Sequence, residues 1–391
     1  MADGGEVNMM RRMMVVLLFV SVSAGTFGQT LPSSEFDEKT RKGIEYVYNL
    51  EFEKAEEVFR ERIKAQPKHP AGHFFLAMVT WWRILIDLDN EQYDEQFYDS
   101  LDHVIELCDE LLEKNENDVT ALFFKGGSIG FKGRLKAHRS SWFDAANAGR
   151  KALPIVREAA ALDPNNYDIQ LGTGIYNYYA EVIPNEYPFV KPLLLFVPPG
   201  DKAKGIEQIK LASEKGKYAN IESTYFLMQI YYMYEKDYPK ALELAERLHA
   251  RFPNNMLFHK YLGRCYVVLG NWDKAKEVFD EIAARCKRNQ RGYGALVERE
   301  AAYYLGVYDM NKGAHESALK HFLRCDELSR QLDTDGPSGF MVLANLKMGN
   351  LYDALAKRDL ALVQYRKVLK MKEYKDSHTL AEQFMKAPFS Q

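Results

Sequence analysis

One spacing recurs along this 391-residue chain, and it constrains the fold more than any other feature. Between Tyr261 and Phe279 the chain places Leu262-Gly263, Tyr266, Ala275 and Phe279. The same offsets return at Leu305-Gly306, Ala318 and Phe322, and again at Met348-Gly349, Tyr352, Ala361 and Tyr365. Met228, Tyr232, Ala241 and Ala245, closed by Pro253, make a fourth copy; Gly43, Tyr46, Ala55 and Phe59, closed by Pro67, make a fifth. Each copy reads as two helices of roughly 14 residues with apolar positions three and four apart. A glycine inside a helix costs about 1 kcal/mol relative to alanine. Its return at one position therefore predicts that two backbones approach closely there, with the alanines doing the same from the second helix. Phe279, Phe322, Tyr365 and Phe59 are expected to fill the space between one copy and the next. Pro67, Pro164 and Pro253 follow second helices, where proline stops a helix without removing an interior hydrogen bond.

Less regular copies fill the gaps. Phe74 to Trp82 reads as a first helix, with Leu76-Ala77 at the paired position and a late second helix from Tyr98 to Glu113. Leu122 to Arg134 pairs with Ala148 to Leu162, and Asp168 to Ala180 pairs with Lys202 to Lys215. One helix pair cannot bury its apolar face alone, so pairs must stack. The pattern resembles the tetratricopeptide repeat family, whose helix-turn-helix units carry small residues where the two helices touch. The resemblance implies an all-α, right-handed superhelical solenoid of about eight helix pairs with irregular central units. It would span 37–391 as a single body, interrupted by an insertion at 182–200.

Residues 1–28 have the layout of a secretory signal peptide. Arg11 and Arg12 precede an apolar stretch from Met13 to Ala24, and small residues follow at Ser23-Ala24 and Gly28. Such an apolar run is short for a membrane helix, which needs about 20 residues. An exported protein, periplasmic or extracellular in a bacterial envelope, is the expectation, with 29–36 a short polar lead; an uncleaved anchor is the rival. Asp3 and Glu6 are untypical of a signal and point to a start at Met9 or Met10. Of the four cysteines, none has a CxxC or histidine partner at metal-ligand spacing. Buried free thiols are expected, with a Cys286–Cys325 disulfide the alternative. The net charge of −3 leaves no basic surplus for nucleic acid. The run Lys132, Arg134, Lys136, His138, Arg139 reads as a solvated helix face.

Nothing in the chain points to catalysis, a metal or a cofactor. The nine histidines do not cluster, and no HExxH or GxSxG occurs. The glycine-rich stretch Lys125 to Gly133 lacks the Gly-Lys-Ser/Thr of a phosphate loop. It falls inside a first helix, where Gly126 and Gly130 are expected to permit a close crossing.

In tetratricopeptide arrays the first helices line a concave groove, and the resemblance assigns that face residue by residue. Phe74, Met78, Trp81 and Trp82 belong to it in the second repeat, and Tyr176 and Asn177 in the fourth. Phe226, Ile230, Met233 and Tyr234 follow in the fifth, and Lys260, Arg264 and Tyr303 continue the surface. Aromatic residues and methionine are enriched at protein-binding hot spots, so a protein or peptide partner is expected. Packing among the central helices is the competing role for each aromatic. The basic carboxylate clamp of chaperone-binding members is not reproduced: Arg264 stands where an asparagine belongs, so an acidic C-terminal tail is not the expected ligand. The alternative is a small apolar or glycan ligand held between groove and insertion. The insertion itself, Ile183-Pro184 to Pro198-Pro199, is proline-rich and apolar and cannot be a long helix; packing on the solenoid is favoured over membrane or partner contact. With Gly172-Thr173-Gly174-Ile175-Tyr176 and Gly200-Asp201 it is similar to a eukaryotic subfamily associated with the mitochondrial outer membrane, described as non-enzymatic.

Overall fold

The computed structural model describes residues 34–186, 188, 191 and 198–390. The expected signal segment and most of the apolar part of the insertion lie outside these residues. The described chain is seventeen helices and no strand, in two compact units that meet at Phe252 and Pro253 in the sequence.

The first unit holds five helix pairs. They are α1 (Ser34–Tyr48) with α2 (Phe52–Ala65), α3 (Pro70–Ile86) with α4 (Asp94–Leu112), and α5 (Val119–His138) with α6 (Trp142–Leu162). Then come α7 (Tyr167–Glu186) with α8 (Lys202–Lys215), and α9 (Asn220–Met233) with α10 (Tyr238–Arg251). The second unit holds α11 (Met256–Val268) with α12 (Trp272–Lys287), α13 (Ala295–Asn311) with α14 (His315–Leu332), and α15 (Gly339–Ala354) with α16 (Arg358–Val368). It ends on a single helix, α17 (Ser377–Lys386), whose Ala381, Leu380 and Phe384 cover the apolar face of the last pair. All four cysteines are buried free thiols.

The recurring glycine has a specific partner. A Cβ built on Gly263 would stand 2.7 Å from the ring of Phe279, and one on Gly306 2.8 Å from the ring of Phe322. Gly43 faces Phe59 at 2.7 Å in the same way, and Gly349 faces Tyr365. The aromatic of the second helix thus occupies the notch left by the glycine of the first. Its other side meets the following repeat: Phe279 stacks on Tyr304 at 4.8 Å, and Phe59 on Phe75 at 5.6 Å. One ring serves both interfaces, within a repeat and between repeats. Gly126 makes the close approach expected of it, its built Cβ 2.6 Å from Val156. Gly130 does not; open space faces it, and Gly133 takes the second contact, against Ala148.

Two irregular places find local explanations. The second helix after Trp82 starts late because α3 runs on to Ile86 and a turn follows, which Arg139 ties down through the carbonyls of Leu88 and Asn90 and a double contact to Asp94. The insertion begins later than the prolines suggest, since α7 continues to Glu186 with Pro184 inside its last turn. There the missing N–H removes a single bond. On the return side, Tyr176 donates to the Pro198 carbonyl, and a Cβ on Gly200 would collide with the Asn177 carbonyl at 2.3 Å.

Polar side chains cap the helices. Asp168 accepts from the amides of Tyr218 and Ala219 at 2.9 Å each, holding the start of α9. His69 Nδ1 accepts from Ala71 N at 3.2 Å and starts α3. Burial, aided by the nearby Arg62 charge, lowers the His69 pKa from 6.5 to about 4. Between those two pH values the unfolded chain binds the extra proton and the folded chain does not, so this group's stabilisation is complete above 6.5 and is lost as pH falls toward 4. His69→Asn keeps a capping acceptor without a titration. Urea midpoints at pH 7.5 and 4.5 are expected to fall less for this variant than for the wild type.

Candidate partner-binding face

The inner face of the first unit is built by α1, α3, α5 and α9, and it is filled by its own side chains. Tyr48, at the end of α1, donates its hydroxyl to Glu222 of α9 at 2.7 Å. Arg134 of α5 donates to the other oxygen of the same carboxylate, also at 2.7 Å. The guanidinium carbon of Arg134 lies 4.5 Å from the centre of the Phe226 ring and 5.0 Å from that of Trp81. Tyr48 sits edge-on to Trp82 at 4.9 Å, and Trp82 meets Tyr225 at 6.0 Å. Burial, reinforced by the negative Glu222, holds the Tyr48 hydroxyl well above the usual phenol range. In a dry environment a carboxylate that accepts two hydrogen bonds and faces a guanidinium is satisfied; without them it is very costly.

Most residues assigned to the groove take the competing role, packing inside the first unit. Trp81 and Ile230 are fully enclosed, Trp82 is 1% exposed, and Phe74, Met78, Tyr176 and Phe226 are buried as well. Two kinds of packing enclose them: rings of neighbouring first helices meet one another, and Trp81 also packs on Phe97 of its own second helix, α4. Trp81 stacks on Phe97 and meets Phe131, while Phe74 meets Phe124 at 5.2 Å and Phe131 at 5.9 Å. The basic run is not a plain solvated face either. Arg134 and Arg139 turn into the structure, while Lys132 pairs outside with Asp102.

Three of the assigned residues of this unit keep part of their surface: Asn177, Met233 and Tyr234. They mark a tyrosine-rich rim. The Tyr234 ring lies 5.6 Å from Tyr179 and 6.0 Å from Tyr178, and Tyr178 donates to Glu235 at 2.6 Å. Lys202 closes the group with a 2.9 Å contact to Glu235, and Asn177 donates to Gln208 at 2.6 Å.

In the second unit, Arg264 makes a double contact to the buried Glu300, including Nη2 to Oε2 at 2.6 Å, with Tyr261 against the guanidinium. Lys260 is buried, and Tyr303 is enclosed by Phe322, Phe340 and Tyr304. Lys260 and Tyr303 are thus interior, and Arg264 is part-buried.

Tyr48, Glu222 and Glu300 were not singled out by their spacing. Glu222 did carry a signal: it is the only charged residue in Asn220–Met233, a helix otherwise apolar or neutral and almost wholly buried. An acid in such a setting must have a cationic or donor partner.

Residues 232–296 match a family model described as tetratricopeptide repeat. Among solved structures, yeast Tom70 is similar at 11% identity and TM-score 0.39, over 89% of this chain and 88% of that one. The human IFIT1 dimer with PPP-AAAA is similar at 15% identity and TM-score 0.39, over 90% and 85%. The C-terminal part of a TPR repeat-containing protein from Cytophaga hutchinsonii follows at 16% identity and TM-score 0.36, over 74% and 95%. At such identities these likenesses carry no argument about the partner of this chain. No curated protein sequence matches it.

Proposed function

We propose that this chain, which belongs to the tetratricopeptide-repeat family by its matched stretch 232–296, is a non-enzymatic scaffold. It is exported, and it holds a protein or peptide partner against the rim of its first unit. The observation that carries this reading is the cluster of half-buried Tyr179, Met233 and Tyr234, set beside the Glu235–Lys202 pair. Residues of these types, part exposed and grouped around a satisfied ion pair, are those from which binding hot spots are made. Arg11-Arg12 and the apolar Met13–Ala24 support export. No helix among the described residues is long and apolar enough to cross a membrane.

The test is affinity capture with the full chain from an envelope fraction, followed by mass spectrometry. Tyr179→Ser/Tyr234→Ser is expected to weaken capture of the partner at least tenfold, since losing a hot-spot side chain costs about 2 kcal/mol or more. Far-UV circular dichroism is expected to be unchanged. An identical capture profile for wild type and the double variant would overturn the rim as the binding face.

A further inference from the structure

In the second unit, α16 breaks the charge pattern of the second helices before it. On α12 and α14 cations hold carboxylates: Lys276 pairs with Asp280, Arg285 with Glu281, Arg324 with Glu298, and Arg330 with Asp326. Counted from the ring that fills each notch, α12 carries Asp280 one residue on, and α14 carries Glu327 five residues on. At those two places α16 carries Arg366 and Lys370. They lie four apart, so their charges repel across one turn. Arg366, Lys367, Lys370 and Lys372 make no ion pair among the described residues. The same side of the helix is apolar at its start. Ala361, Tyr365 and Val368 turn inward against α15 and α17. That leaves Leu360, Val363, Arg366, Lys367 and Lys370 on the opposite side, within a turn of one another, with Asp359 the one carboxylate among them. Leu360 and Val363 are 47% and 43% exposed.

We propose that this side of α16 is a membrane-contact face that seats the chain on a bilayer surface of anionic phospholipid headgroups. Leu360 and Val363 enter the headgroup boundary. The aliphatic stems of Arg366, Lys367 and Lys370 lie beside them, while their charged ends stay with the lipid phosphates. Docking breaks no internal ion pair, because these cations have none, and each gains an anion. A lipid surface fits this face better than a peptide does. The exposed side of a single helix is a ridge, whereas peptides are taken in grooves or along sheet edges; a plane of headgroups needs no concavity. Two aliphatic side chains are too few to hold the chain by themselves, so attachment is mainly electrostatic and weakens as salt shortens the reach of charge. The face belongs to the second unit and is separate from the rim of the first.

The test mixes the full chain with vesicles of phosphatidylcholine alone, or of phosphatidylcholine with phosphatidylglycerol. A polarity-sensitive dye on Glu373→Cys, just past α16, reports contact at this face, and one on Glu113→Cys, at the end of the acidic α4, is the control. The four native thiols are buried, and burial pushes Cys108, Cys286 and Cys325 up to about 12, so labelling favours the introduced sites. Anionic vesicles are expected to shift the emission of the dye beside α16 to the blue, neutral vesicles to leave it unchanged, and added salt to reverse the shift. The control dye is expected to stay unshifted. Arg366→Gln/Lys370→Gln is expected to weaken the response at least tenfold, since each cation near such a surface counts for about fivefold. Leu360→Ser/Val363→Ser is expected to reduce the blue shift. All four side chains are partly or fully exposed, so helicity is expected to be retained. An unshifted dye beside α16, or a charge variant that responds as the wild type does, would overturn the membrane face. Polyglutamate that binds the face more tightly than the vesicles would overturn it too, and would assign the face to an acidic protein. Tyr179→Ser/Tyr234→Ser is expected to leave the vesicle response unchanged, so failure of the rim and failure of this face are read separately.

Discussion

Replacing Glu300 with alanine is expected to destabilise the second unit by about 3–5 kcal/mol, among the largest effects of any single change in the chain. Arg264 and Glu300 are both removed from water, with side-chain exposures of 13% and 3%. Each satisfies the other through two parallel contacts. Removing the carboxylate takes both oxygens of this pair away from a charged guanidinium that is largely enclosed. The loss exceeds the worth of the pair itself, because desolvation of both groups had already offset most of their attraction. A paired change therefore behaves differently: Arg264→Met/Glu300→Leu is expected to recover most of the stability lost in Glu300→Ala. Guanidinium chloride unfolding of the three proteins checks this. A double variant as unstable as the single one would show that the pair contributes through its charge rather than its volume.

Phe279→Ala is expected to cost about 3–5 kcal/mol, the range for emptying an aromatic site in a packed core. The ring is 1% exposed, fills the Gly263 notch and stacks on Tyr304, so two interfaces are emptied together. Gly263→Ala gives the more informative comparison. Helix propensity favours the alanine by about 1 kcal/mol, but its Cβ would meet three ring atoms at 2.7–3.0 Å. The stacked Tyr304 keeps the ring from retreating, so overpacking of about 1–3 kcal/mol is expected to win in the wild type. In the Phe279→Ala background the obstruction is gone, and the same substitution is expected to be neutral or stabilising. The two changes should thus be coupled by at least about 0.5 kcal/mol in a double-mutant cycle.

Those two sites also show how far the sequence could be read. The pairing of helices was legible because Gly263, Ala275 and Phe279 answer to one local geometry repeated along the chain. Their spacing fixes which helices touch and which side chains lie between them. The closing of the first unit was not legible. Tyr48 and Glu222 are 174 residues apart, and no period relates them. Register says that Trp81, Trp82 and Phe226 point inward; it does not say whether the inward space is wide enough to remain open. That depends on side-chain length against curvature, and here the side chains meet. Gly130 illustrates the same limit on a small scale, since its position in α5 suggested a crossing while the neighbouring helix approaches at Gly126 and Gly133 instead. At Pro184 the composition argued for a break, but a proline in a final turn removes too little to end the helix earlier.

The aromatic face of the first unit is closed in the resting protein. Acrylamide quenching tests it directly in a chain carrying Trp142→Phe and Trp272→Phe, where emission comes from Trp81 and Trp82 alone. The structure encloses both indoles, so blue-shifted emission and quenching several-fold below that of free tryptophan are expected. Red-shifted emission quenched nearly as readily as the free amino acid would contradict the closed face and restore the open aromatic groove.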